Sequence, residues 1–204
     1  MQKLTYIVIQ LAILFFSIIV HEVSHGYAAL RSGDPTAKYS GRLTLNPLRH
    51  IDPFGTVVLP ILLILMRSPF LIGWAKPVPI NPYYLRNPKK DMAKIGAAGP
   101  LSNLGLAIIF AIIYRITGMG FISFFLLYAV FINLLLFLFN LVPVPPLDGS
   151  RIVAGFLTHD AYEKYMRIEP YGFIIVFALL FLLFNSVLIP AVRLMCRLLT
   201  GVVI

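Results

Sequence analysis

Charged residues are scarce in this sequence, at 12% of its 204 positions, about half of what a soluble domain carries. Because 59% of the residues are hydrophobic, a water-soluble fold would lack the polar surface to cover itself. Long apolar runs separated by proline-rich and basic stretches point instead to a helical chain that crosses a membrane several times. Acidic residues are fewer than basic ones: 8 Asp and Glu stand against 17 Lys and Arg, for a net charge of +9. The basic residues lie between the apolar runs rather than along one polar face. They are read as topology signals and lipid headgroup contacts, and a nucleic-acid partner is excluded. Cys196 is the single cysteine, which rules out an intrachain disulfide framework. No A-x-A pattern follows the first apolar run, so that run is expected to be a retained helix rather than a cleaved leader. An inverted internal repeat of the kind that marks many transporters is also missing.

What is present falls into spans and breaks. Residues 4 to about 31 predict a first helix, apolar to Val20 and then polar on one face, stopped by Gly33 and Pro35. Residues 36–45 hold short β-type stretches around Gly41, which predict a small surface hairpin. The apolar run 54–66 is about 13 residues long and interrupted by Pro60, short of the roughly 20 a perpendicular span needs. Basic residues flank it on both sides, so it is expected to re-enter and leave by the same face. Residues 73–91 read as loop, and a helix is expected from near Ala98 to about Ile116, with Pro100 early, where a missing N–H does little harm. Residues 121–142 form a clear span ended by Pro143, Pro145 and Pro146, and 173–189 the last strong one. From Pro190 the tail, with Arg193 and Arg197 four apart, reads either as an interfacial amphipathic helix or as a tilted extension of the last span. The predicted fold is an all-α polytopic membrane protein. It has about four transmembrane helices, a re-entrant hydrophobic segment and a short β-type segment after the first helix, in one integral-membrane unit over residues 1–204.

The chemistry is concentrated in His21-Glu22-Val23-Ser24-His25, an HExxH pattern on the first helix. Side chains four apart lie one turn apart on one helical face, so both imidazoles can converge on one metal ion, with Glu22 placed as a base for the attacking water. Two histidines and a glutamate inside an apolar helix are costly unless paired or metal-bound, which favours a functional role over a structural one. A catalytic zinc normally takes three protein ligands, and Asp148 is the candidate for the third. It follows the proline-rich stretch 140–147, which is expected to be extended and to line a cavity. A turn role for Asp148 before Gly149 is the competing reading. His50 with Asp52 reads as a surface loop pair, and His159 with Asp160 as a polar helix start.

HEVSH in the first helix, Ala98-Gly99-Pro100-Leu101-Ser102-Asn103, and Asn140 to Gly149 together resemble the site-2 protease family of intramembrane metallopeptidases, in the family's order. The resemblance implies that His21, His25 and Asp148 bind one Zn2+ per chain and that Glu22 is the general base. It also implies a multi-pass protein of the cell membrane whose site opens toward the cytoplasmic side. The expected partners are a transmembrane protein substrate and the lipid bilayer. Asn140 matches an asparagine of the family's aspartate motif, in contact with substrate or site, and a packing role stays open beside that. No PDZ-like insertion interrupts the motifs, so the helices, residues 36–45 or the re-entrant region must select the substrate. A strand within 36–45, or the proline-rich stretch before Asp148, is the expected clamp for an unwound peptide. A metal-ion transporter or a non-proteolytic metal-binding scaffold are the competing functions. The first would favour ionisable residues along several spans, and the second has no use for Glu22.

Overall fold

The first apolar run becomes α1, Gln2–Arg31, in the computed structural model, which describes residues 2–66, 73–118 and 120–202. The helix ends where expected. Gly33 takes φ 111°, and the N–H of Asp34 returns to the carbonyl of Ala29, closing the last turn with a left-handed glycine.

The β-type hairpin expected over residues 36–45 is not formed, and no strand occurs among the described residues. Thr36–Tyr39 instead forms one helical turn, α2. Asp34 explains why: its Oδ1 accepts from both the backbone N–H and the hydroxyl of Thr36, an N-terminal helix signal stronger than the local β preference. Gly41, at φ 64°, then reverses the chain.

A π-type turn at Pro53–Val58, capped by the Asp52 carboxylate, leads into α3, Leu59–Leu65. This apolar helix is too short to cross a bilayer. The chain comes back extended over residues 73–81 and lies against the outgoing leg. The N–H of Trp74 bonds the carbonyl of Gly55, and that of Lys76 the carbonyl of His50.

The next helix starts ten residues before the expected point. α4 is Pro88–Thr117, with Asn87 capping Lys90 N–H and Pro88 in the first turn, so Pro100 lies in a helix interior. The polar sequence before Ala98 looked like loop because its lysines stand in the first turns of a helix that begins outside the apolar layer. Pro100 is tolerated because it is fully buried against neighbouring helices.

α5, Phe121–Asn140, returns along α4. After the proline-rich turn come α6, Asp148–Ala154, and α7, His159–Met166. α8, Gly172–Leu183, continues through a π-type turn at Phe184–Leu188 into α9, Ile189–Thr200. The tail thus extends the last span. Val192 and Cys196 are buried with Ala107, Ala111, Val130 and Leu134, while Arg193 and Arg197 face outward. Arg115 reaches across to the carbonyls of Leu198 and Leu199.

Among the described residues, four helical stretches are long and apolar enough to span a membrane: Leu4–Arg31, Pro88–Thr117, Phe121–Asn140 and His159–Thr200. The chain is a multi-pass membrane protein. α4 is its central element and touches α1, α5, α6 and α9. On α4 the small Ala107 and Ala111 pack against Val130 and Leu134 of α5, the kind of small-residue contact that joins helices where lipid gives no hydrophobic drive to pack.

Candidate metal centre

His21 and His25 project from one face of α1 toward α4, and both are buried. Gly99 makes this possible. A Cβ there would lie 2.4 Å from Nε2 of His25 and 2.6 Å from Cε1 of His21, so glycine leaves the space the two rings fill. Asp148 arrives from the opposite side as the first residue of α6, an acidic position favoured by the helix dipole. The stretch before it is not extended as expected. It folds into successive turns, with Val144 N–H bonding Val142 O and Leu147 N–H bonding Val144 O. The three prolines leave few backbone donors, so short-range turns replace a strand ladder. Gly149 lets this turn fold back, since a Cβ there would meet the Leu141 carbonyl oxygen at 2.3 Å.

The structure therefore brings together three of the residues singled out in the sequence. Nε2 of His21 lies 3.0 Å from Nε2 of His25 and 3.0 Å from Oδ2 of Asp148, and Nε2 of His25 lies 3.2 Å from the same oxygen. The outer ring nitrogens are engaged. Nδ1 of His21 meets the side-chain oxygen of Asn103 at 2.6 Å, and Nδ1 of His25 meets the carbonyl of Ile95 at 2.7 Å. A carbonyl oxygen only accepts, so each Nδ1 carries the proton and each Nε2 a lone pair. Three lone-pair atoms then converge, and one shared proton could bridge only two of them. A single cation satisfies all three. Ligands about 2.0–2.1 Å from a tetrahedral zinc stand about 3.3 Å apart, close to the observed spacing, and two imidazoles with a carboxylate suit zinc with one position left open. Asp148 is buried here with its Oδ2 turned toward both imidazoles. Arg151 Nη1, 3.5 Å from its other oxygen, adds a positive charge on that side.

Glu22 is not one of the three convergent ligands; it reaches the extended segment, where its Oε2 accepts the Val78 N–H at 2.9 Å. Pro77 and Pro79 have no N–H, so Val78 is the one backbone donor within residues 77–79. Asn140 is not part of the cluster; its amide donates to the Leu136 carbonyl of its own helix. His50, expected at the surface, is buried, because the returning extended segment covers it and its Nε2 bonds the Thr44 carbonyl. His159 is exposed beside Glu163, as its polar surroundings predict. Asn103 was visible in the sequence only as part of a helix-start pattern. Its contact to His21 could not be anticipated, because it joins residues 82 apart.

Beside Asp148 a cavity of about 560 Å³ opens between α4, α6 and α7, lined among others by Lys89, Pro145, Arg151 and Tyr162.

Comparisons with known proteins agree with this geometry. A family model described as "Peptidase family M50" matches residues 114–183, which include Asp148 and the turn before it. The chain is 42% identical over 187 residues to YwhC of Bacillus subtilis, covering 86% of this chain and 80% of that one. It is 29% identical over 174 residues to Rip2 of Mycolicibacterium smegmatis (80% of this chain, 63% of the relative) and 26% identical over 158 residues to MJ0392 of Methanocaldococcus jannaschii (76% and 37%). All three carry zinc-metalloprotease names. The chain thus spans four-fifths of the first and less than two-thirds of the other two. No solved structure matches.

Proposed function

Because the chain belongs to peptidase family M50, the site-2 protease family, and is a zinc metalloprotease of that family, we propose that it hydrolyses peptide bonds within or beside the membrane-spanning segments of other proteins. The observation that carries this reading is the placement of the convergent cluster. His21 and His25 lie on α1, a helix long and apolar enough to span a membrane, and Asp148 joins them from α6, between two further such stretches, with ligand atoms all within 4.8 Å of one another. A substrate reaching them comes from the bilayer.

In this proposal the two Nε2 atoms and Oδ2 of Asp148 hold one zinc ion per chain. The ion supplies Lewis acidity toward the attacking water and the scissile carbonyl when bound. The protein's own groups do the rest. Asn103 and the Ile95 carbonyl keep the imidazoles turned inward. Glu22, steadied by the Val78 N–H, takes the proton from water and returns it to the leaving amine. Asn140, at the end of α5, is assigned to substrate contact. The short helix α3 with its extended return is read as a re-entrant element, and residues 1–204 as one peptidase unit.

The site opens toward the cytoplasm in this reading. Residues 31–49, 76–94 and 151–167, which adjoin the site end of the bundle, hold 12 of the 17 Lys and Arg residues. The bias of basic residues to the cytoplasmic side selects that orientation.

The test uses purified wild type, Glu22→Gln and Asp148→Ala with a panel of single-span substrates. Wild type should carry zinc and cleave. Glu22→Gln should keep zinc and lose turnover by about 10²- to 10⁴-fold, the usual contribution of a general base. Asp148→Ala should bind zinc weakly. A Glu22→Gln protein that cleaves as well as wild type would leave a zinc-binding membrane protein without this proteolytic mechanism.

A further inference from the structure

Behind His21 the three central helices share a set of buried polar side chains, of which the mechanism above uses only Asn103. Asn103 on α4, Asn133 on α5 and Ser17 on α1 are each fully buried, at 0% exposure. In an apolar span such groups are costly unless every donor and acceptor is matched. Here they are matched, and the matching has a direction.

It is anchored on backbone carbonyls, which only accept. The Ser17 hydroxyl donates to the carbonyl of Ile13 at 2.8 Å, which leaves its oxygen to accept. The Asn133 amide nitrogen donates to the carbonyl of Ala129 and to the Ser17 hydroxyl, both at 2.9 Å, so the Asn133 oxygen must face the other way. That oxygen accepts from the Asn103 amide nitrogen at 2.9 Å, and the same nitrogen also donates to the Ser17 carbonyl at 3.3 Å. With its nitrogen committed, Asn103 can present only its oxygen to His21 Nδ1, 2.6 Å away. Flipping either amide would set two donors or two acceptors against each other in the interior.

We infer that Asn133 and Ser17 are positioning residues of the metal centre: by fixing which way the Asn103 amide points, they hold the His21 proton on Nδ1 and its lone pair on Nε2, facing the metal. Neither touches a ligand atom, and each acts through Asn103. The inference rests on the reading of His21, His25 and Asp148 as a zinc site. It extends the support of that site from the histidine's immediate partner to a third helix. Outer partners of metal-bound histidines contribute about 10- to 100-fold in metal affinity, and Asn133 acts on the orientation of that partner.

The test is made on full-length protein in lipid nanodiscs, first metal-free. Histidine ¹⁵N spectra report the tautomer, with four histidines to assign, and zinc competition titration gives the affinity. Asn133→Leu removes the acceptor, Asn133→Asp keeps one, and Leu134→Ala opens a cavity at the adjacent buried position without touching the polar set. Wild type and Leu134→Ala should show His21 protonated at Nδ1 and bind zinc alike, although Leu134→Ala melts earlier. Asn133→Leu should show a mixed tautomer and zinc binding weakened about 10-fold or more. Asn133→Asp keeps an acceptor for Asn103 but sets an oxygen against the Ala129 carbonyl, so its zinc affinity should fall between those of wild type and Asn133→Leu. Should Asn133→Leu not accumulate, Asn133→Ala removes the same acceptor and decides the matter. An acceptor-free variant that keeps the wild-type tautomer and zinc affinity overturns the inference. Wild type that binds no zinc at all overturns the metal assignment itself, which is a separate result.

Discussion

At the scale of single residues, the site is built as much by an absent side chain as by those present. Gly99 is where α4 meets both imidazoles, and a methyl group there would stand 2.4 Å from His25 Nε2. Gly99→Ala is therefore expected to push the rings apart and weaken zinc binding at least about 10-fold. Gly105→Ala, on the same helix with nothing within 4 Å of its Cβ, should leave zinc binding unchanged and stabilise the helix slightly. Equal zinc titrations for the two variants would show that the close approach at Gly99 does not govern the site. The sequence made His21, Glu22 and His25 legible because a helix turns spacing directly into geometry: four residues is one turn. Asp148 was legible because prolines and a glycine isolate one carboxylate after a span. Asn103, Asn133 and Ser17 were not, since their roles depend on which helices pack together, and a lone polar residue in an apolar run says only that something must face it.

At the scale of elements, the extended return segment after α3 reaches Glu22, the proposed base, through one hydrogen bond. Val78→Pro removes that N–H while keeping an extended backbone, whereas Val78→Ala keeps it. A hydrogen bond to a charged group contributes about 1.5–3 kcal/mol. Turnover of Val78→Pro should therefore fall about 10- to 100-fold with zinc retained, and Val78→Ala should stay close to wild type. Loss of zinc from Val78→Pro would mean that the segment supports the whole site rather than Glu22. Elements were less legible than residues for identifiable reasons. Residues 36–45 carry β-type side chains, yet one Asp34 carboxylate on two Thr36 donors makes a helical turn. Pro100 looked like a helix start, yet α4 begins at Pro88, because its first turns lie outside the apolar layer and carry lysines that resemble loop. Apolar run length did fix the four spans and the short α3, since bilayer thickness constrains it directly.

At the scale of the whole molecule, charge decides which way the bundle sits. α1 and α5 run in the same sense, because Tyr6 near the start of α1 stacks on Phe125 in the first turns of α5 and Ser17 meets Asn133 further along both helices. The turn around Gly118 and Gly120 therefore lies at the end opposite the metal centre, and Tyr39, just past α1, lies at the site end. Moving a dozen basic side chains across a bilayer is opposed at every step of insertion, so the site end should face the cytoplasm. Two single-cysteine probes test this against a silent background, since the native Cys196 is fully buried. Tyr39 is 83% exposed, and Gly120, at φ 176°, has open space around its Cβ, so both accept cysteine without strain. A membrane-impermeant maleimide applied to intact spheroplasts should label Gly120→Cys and spare Tyr39→Cys, and inverted vesicles should reverse the pattern. The opposite result would turn the site outward and, with it, the compartment from which water and the cut segment exchange.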